Sequence, residues 1–167
     1  MSAPILEMDI DPVWGDAIDW EALAASAAEA TARVAPELAH ENLLVSVVLA
    51  DDDEVHALNK QWRAKDKPTN VLSFPMLSRE EVLLAGSNEG APGMLGDLIL
   101  AQGVCAREAA EKGVSIEVHA SHLVVHGLLH LAGHDHELGE AEAEEMEELE
   151  RKALALIGIA DPYAVED

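Results

Sequence analysis

Leu43-Leu44-Val45-Ser46-Val47-Val48-Leu49 is the stretch on which the fold turns. A short, β-branched, nearly unbroken apolar run predicts the central strand of a sheet. On its C-terminal side, Asp51-Asp52-Asp53 supplies caps for a helix that sets Val55, Leu58, Asn59 and Trp62 on one face. The triple aspartate lacks the loop glycine and the terminal glutamate of a calcium loop, so capping is the better reading. On its N-terminal side, Ile5 to Ile10 alternates apolar and polar residues as a strand does, and Asp19 can cap an alanine-rich helix from Trp20 to Val34. Further along, Asn70 to Phe74 reads as a strand closed by Pro75, Leu95 to Ala101 as another, and Gly103 to Lys112 as a helix ending at Gly113. Met76 to Gly93 is one long irregular stretch, of the kind that is usually functional or mobile. A last helix from about Glu140 to Ile157 is expected to turn Met146, Leu149, Ala153 and Leu156 inward and its glutamates outward. No repeat or linker interrupts residues 1–167. The expectation is a single α+β domain, a small mixed sheet of about four strands packed with about five helices.

The richest chemistry lies in His126-Gly127-Leu128-Leu129-His130-Leu131-Ala132-Gly133-His134-Asp135-His136. His126 and His130 are one helical turn apart on the same face. Gly133 is a natural helix stop, after which the chain can bring a third imidazole back. Three neutral imidazoles around one point make the first shell of a catalytic zinc, with a fourth position open to water. A structural zinc is normally closed by a fourth ligand, and the sole cysteine, Cys105, is remote in sequence. His119 lies about 10 Å along the axis from His126, too far to share an ion. His119 and His122 therefore read as packing or supporting groups, while spacing leaves the third ligand open between His134 and His136. Gly127 stands where zinc proteases carry their glutamate base, so peptide hydrolysis is a minor alternative.

Composition bounds the rest. With 167 residues and 49% hydrophobic content the chain can bury a real core. No run reaches the ~18 apolar residues of a membrane span. Met1 to Asp9 has neither the basic region nor the apolar stretch of a signal peptide, and one cysteine excludes an internal disulfide framework. A cytoplasmic protein is expected. The net charge of −23 argues against an anionic substrate until its distribution is considered. Eight acids and no base lie between Glu137 and Glu150, whereas Lys60, Arg63, Lys65 and Lys67 place four of the ten cations within eight positions. Charges a domain's width apart are screened within ~8 Å, so this basic rim can still meet phosphate.

Three segments resemble the YbeY family of bacterial rRNA maturation factors, regarded as metal-dependent endoribonucleases. They are Leu58-Asn59 through Trp62-Arg63-Ala64-Lys65-Asp66-Lys67-Pro68-Thr69-Asn70-Val71-Leu72-Ser73-Phe74-Pro75, then Leu95-Gly96-Asp97-Leu98-Ile99, then His126 to His136 with its His-x3-His-x5-His spacing. The run through Leu156-Ile157-Gly158 is also similar. Asn70 and Trp62 depart from the family, which commonly has aspartate and tyrosine there.

The resemblance implies one Zn²⁺ per chain on His126, His130 and His136, with Arg63 lining the active-site groove. It further implies single-stranded RNA as substrate, work on the 3′ end of 16S rRNA in ribosome maturation and quality control, and contact with the ribosome and its assembly factors. No DNA or membrane partner is expected. Zinc lowers the pKa of its water towards ~7 and polarises a phosphoryl oxygen. Arg63 suits the charge that builds on phosphate. Lys65, Lys67 and Ser73 are expected to contact the RNA, and Asp135 to orient a ligand histidine. No side-chain general base is evident. A structural metal in an RNA-binding assembly factor and a zinc hydrolase of another substrate class are the alternatives.

Overall fold

The central-strand expectation holds. In a computed structural model describing residues 3–85, 93–134 and 139–163, β2 (Leu43–Ala50) is an interior strand of a four-stranded sheet. The order is β1 (Ile5–Ile10), β2, β4 (Gly93–Ala101), β3 (Val71–Pro75). β1 and β4 run parallel to β2, and β3 pairs antiparallel with β4 along the outer edge. Six helices are found among the described residues: α1 (Trp20–Val34), α2 (Asp52–Arg63), α3 (Arg79–Ala85), α4 (Gln102–Lys112), α5 (Ile116–Leu131) and α6 (Glu140–Leu156). The additional one is α3, inside the stretch read as irregular. It is seven residues long and buries Val82, a signal too short for periodicity to show.

Side chains alternate across the sheet. Leu43, Val45, Val47 and Leu49 of β2 join Leu98 and Leu100 of β4 in the larger core, with α1, α5 and α6. Val48, Ala50, Leu72, Phe74 and Ile99 point the other way into a smaller cluster with Val55 and Leu58 of α2. Each fully buried Leu or Val contributes on the order of 1.5–3 kcal/mol, so the larger face dominates stability. Asp51 caps α2 through the Glu54 N–H at 2.8 Å. Asp52 reaches instead to the start of α4, accepting from Val104 N at 3.1 Å.

Trp62 lies on the same side of α2 as Leu58, as expected, yet is 65% exposed. One expectation about facing fails. Leu156 is 50% exposed, and the buried stripe of α6 runs through Met146, Glu150, Ala153 and Leu154. One glutamate expected to face outward is thus in the core. No helix among the described residues is long and apolar enough to cross a membrane.

Candidate active site

α5 starts at Ser115, whose hydroxyl accepts from Val118 N at 3.2 Å. The helix is buried on nearly every side, and His126 and His130 are half-buried where it opens outward. Gly127 is fixed by packing: a Cβ there would lie 2.6 Å from Leu98 Cδ2 on β4. A glutamate there would have to displace the fully buried Leu98 side chain. Gly96 makes the matching close approach on β4, where a Cβ would meet Phe74 O at 2.4 Å with φ at +154°.

Each of the two histidines is held through its Nδ1. His126 Nδ1 lies 3.0 Å from Glu150 Oε1, and His130 Nδ1 lies 3.2 Å from Ser73 Oγ. Their ring centroids are 6.5 Å apart. Burial alone would raise the pKa of Glu150, which is 1% exposed, but hydrogen bonds from His122 and His126 outweigh it and hold the carboxyl down at about 2. An ionised carboxylate only accepts, so a neutral His126 ring carries its proton on Nδ1 and its lone pair on Nε2. That tautomer presents the nitrogen a divalent metal takes, and a carboxylate behind a ligand histidine is the usual support. The donor set therefore fits a metal as far as the described residues extend.

Glu150 also accepts from His122 Nε2 at 2.9 Å and from the Tyr163 hydroxyl at 2.9 and 3.1 Å. The phenol's own ionisation is pushed up, chiefly by burial and then by the neighbouring carboxylate. His122 Nδ1 is buried without a hydrogen-bond partner in the structure. His119 pairs with Glu108 at 2.9 Å, and desolvation lowers its pKa. Asn70 donates to the same Glu108 oxygen at 2.9 Å. An aspartate at position 70 would set two carboxylates face to face, which accounts for the amide in this chain. Both upstream histidines are thus supporting groups.

Arg63 is tied to the same place. Its Nη2 donates to Ser73 O at 2.7 Å, and the guanidinium lies 5.6 Å above the Phe74 ring. Ser73 thus touches Arg63 with its carbonyl and His130 with its hydroxyl. Buried Asn59 pins the following turn, donating to Lys67 O at 2.8 Å while its carbonyl accepts Lys65 N at 3.2 Å. Lys65 and Lys67 are exposed on that turn.

His134 is engaged elsewhere, with Nε2 3.2 Å from Glu37 Oε2. Arg79 bridges Glu37 and the Ala132 carbonyl, the latter at 2.8 Å. His134 foremost, then Arg79, holds Glu37 down at about 2 against the effect of burial. Asp135 and His136 lie outside the described residues. Among the described residues no three metal-ligating side chains gather at one point. Cys105 is buried, and desolvation pushes its thiol up to about 12, so it is unsuited to ligation or attack.

The sequence reading missed Glu150, Tyr163, Glu37 and Arg79. Glu150 had a usable signal, since it stands four residues after Met146 and three before Ala153 on the apolar stripe. The other three had none.

Fold and site together define a class: an α+β domain with a His-x3-His helix packed on a mixed sheet and an arginine at the sheet's edge. The family model described as Endoribonuclease YbeY matches residues 13–158, and this chain belongs to that family. Endoribonuclease YbeY of Novosphingobium aromaticivorans is 89% identical over the whole of both chains. Endoribonuclease YbeY of Erythrobacter litoralis is 59% identical over 95% of this chain and 96% of its own. A protein of Thermotoga maritima solved in solution superposes with a TM-score of 0.58 at 26% identity, covering 90% of this chain and 87% of that one.

Proposed function

We propose that this chain is a metal-dependent endoribonuclease specific for single strands. It acts in 16S rRNA 3′-end maturation and ribosome quality control, in the cytoplasm, with the ribosome and its assembly factors as partners. The observation that carries the reading is the pair His126 and His130, each anchored through Nδ1, one of them bonded to the serine that also holds Arg63. Family membership supplies the RNA substrate.

His126, His130 and His136 would hold one Zn²⁺, with Asp135 beside them. The metal, when bound, supplies Lewis acidity towards a phosphoryl oxygen and acidifies water. The remaining work falls to the chain. Glu150 fixes the His126 tautomer. Arg63, preset by Ser73 and Phe74, binds non-bridging phosphate oxygens as charge develops on them. Lys65 and Lys67 hold neighbouring phosphates without reading sequence, which suits a sequence-tolerant enzyme. The engagement of His134 with Glu37 favours His136 as third ligand.

The test is cleavage of precursor small-subunit rRNA by zinc-loaded protein beside Arg63→Ala. The variant, folded by circular dichroism and with unchanged zinc content, is expected to cut at least about tenfold more slowly. Equal rates would remove Arg63 from the mechanism. Absence of cleavage by either protein would sink the nuclease reading and leave an RNA-binding assembly factor.

A further inference from the structure

The sheet face opposite the histidine helix carries a groove of about 390 Å³, lined by Leu58, Trp62, Phe74, Met76, Asp97 and Ile99. It falls within the ~300–1,000 Å³ of small-ligand clefts. The chain has only five aromatic residues, three Trp, one Tyr and one Phe. Trp14 and Trp20 are core, yet Trp62 is 65% and Met76 56% exposed at this groove. Trp62 also stands inside Lys60–Lys67, which holds four of the ten cations of a chain with net charge −23. Arg63, the cation that lies over Phe74, borders this apolar opening and offers the charge that an anionic strand seeks, where an acidic protein surface elsewhere repels it.

Position in the sheet joins the groove to the reacting centre. Ser73 and Phe74 are consecutive on edge strand β3, so their side chains point to opposite faces. The Ser73 hydroxyl faces His130, Phe74 lines the groove, and Arg63 sits over Phe74 while bonded to Ser73 O. A strand crossing the sheet's edge at Arg63 can leave a phosphate on the histidine side and turn a neighbouring base into the groove.

We infer that this groove is a nucleobase subsite of the proposed ribonuclease, with Trp62 as its stacking platform and Asp97 as acceptor for the donors on the base edge. The assignment rests on the ribonuclease reading. An aromatic face accepts any base, which gives affinity without selection. A carboxylate only accepts, so bases are ranked by the donors they present. Guanine offers N1–H and N2–H side by side and binds best. Cytosine and adenine offer an amino group each, and uracil, with its two carbonyls facing the carboxylate, binds worst.

The experiment measures binding of the full chain to non-cleavable 2′-O-methyl pentanucleotides by fluorescence anisotropy, comparing uridine tracts with tracts carrying one guanine. Wild type is expected to favour guanine. Trp62→Ala, at an exposed position, is expected to raise Kd about tenfold or more for every oligonucleotide. Asp97→Ala is expected to erase the guanine preference, with uridine tracts binding as well as or better than before. Unchanged affinity in Trp62→Ala, with wild type binding RNA, overturns the subsite alone and leaves the groove to a protein partner. A guanine preference that survives Asp97→Ala overturns the assignment of Asp97. Failure of wild type to bind any oligonucleotide overturns both the subsite and the ribonuclease reading beneath it.

Discussion

Replacing Glu150 by glutamine changes one atom in the core and tests the logic of the histidine site. The carboxylate accepts from His122, His126 and Tyr163 at about 3 Å, and is only 1% exposed. The amide keeps the volume, loses the charge, and leaves one acceptor oxygen where two served three donors. Orphaning buried donors costs roughly 1–3 kcal/mol each, and losing one partner of a buried charged network roughly 3–5 kcal/mol in all. We expect Glu150→Gln to lose about 3 kcal/mol of folding stability in urea melts followed by circular dichroism. With a neutral amide in place of the carboxylate behind it, His126 should bind zinc roughly 10–100-fold more weakly in competition with a chromophoric chelator. Tyr163→Phe removes a single hydroxyl and is the control: about 1 kcal/mol of stability lost and zinc affinity close to wild type. A folded Glu150→Gln protein whose zinc affinity stays within about twofold of wild type would refute the orienting role.

Three further outcomes are expected. Glu37 has a folded pKa of about 2 against an ordinary 4.5, so its contribution is complete above pH 4.5 and fades as pH falls towards 2. Glu37→Gln should thus lose about 2–3 kcal/mol in chemical melts at pH 7 and converge with wild type in strong acid, and parallel curves at all pH values would contradict the assignment. Gly127→Glu, which writes the zinc-protease motif into α5, should cost more than about 3 kcal/mol because its Cβ already meets Leu98, and should yield no peptidase activity against casein. Cys105 should resist iodoacetamide at pH 8 in the native protein and react once it is unfolded, as followed by mass spectrometry.

What could be read from the chain depended on how local its cause was. β1, β2 and β4 announce themselves because alternation and β-branching act residue by residue. The turn after α2 was legible as a basic motif, but its cause, Asn59 holding Lys67 O with its side chain and Lys65 N–H with its main-chain carbonyl, is visible only in three dimensions. Trp62 was placed on one face with Leu58, but hydrophobicity says only that a face wants cover, not whether the fold gives it. Glu150 vanished into an acidic run that composition treats as solvated surface, and its meaning comes from two histidines a helix away. His126 and His130 were legible as a pair from spacing alone. That His130 and Arg63 share Ser73 depends on the register of β3 against β4, which sequence does not specify.

Edge strand β3 also bears on whether the molecule stays apart from its own copies. An unpaired strand edge invites another chain to add to the sheet. With Leu72, Phe74 and Met76 bonded inward to β4, positions 71, 73 and 75 turn their backbone groups outward. Val71 N–H is taken by the Asn70 side chain at 2.7 Å, Ser73 carbonyl by Arg63 at 2.7 Å, and position 75 is a proline with no N–H to offer. Arg63 therefore guards the border as well as standing at the proposed phosphate site. Truncating it exposes a docking rail for a second sheet, so aggregation would imitate lost catalysis in Arg63→Ala unless light scattering is recorded beside the rates.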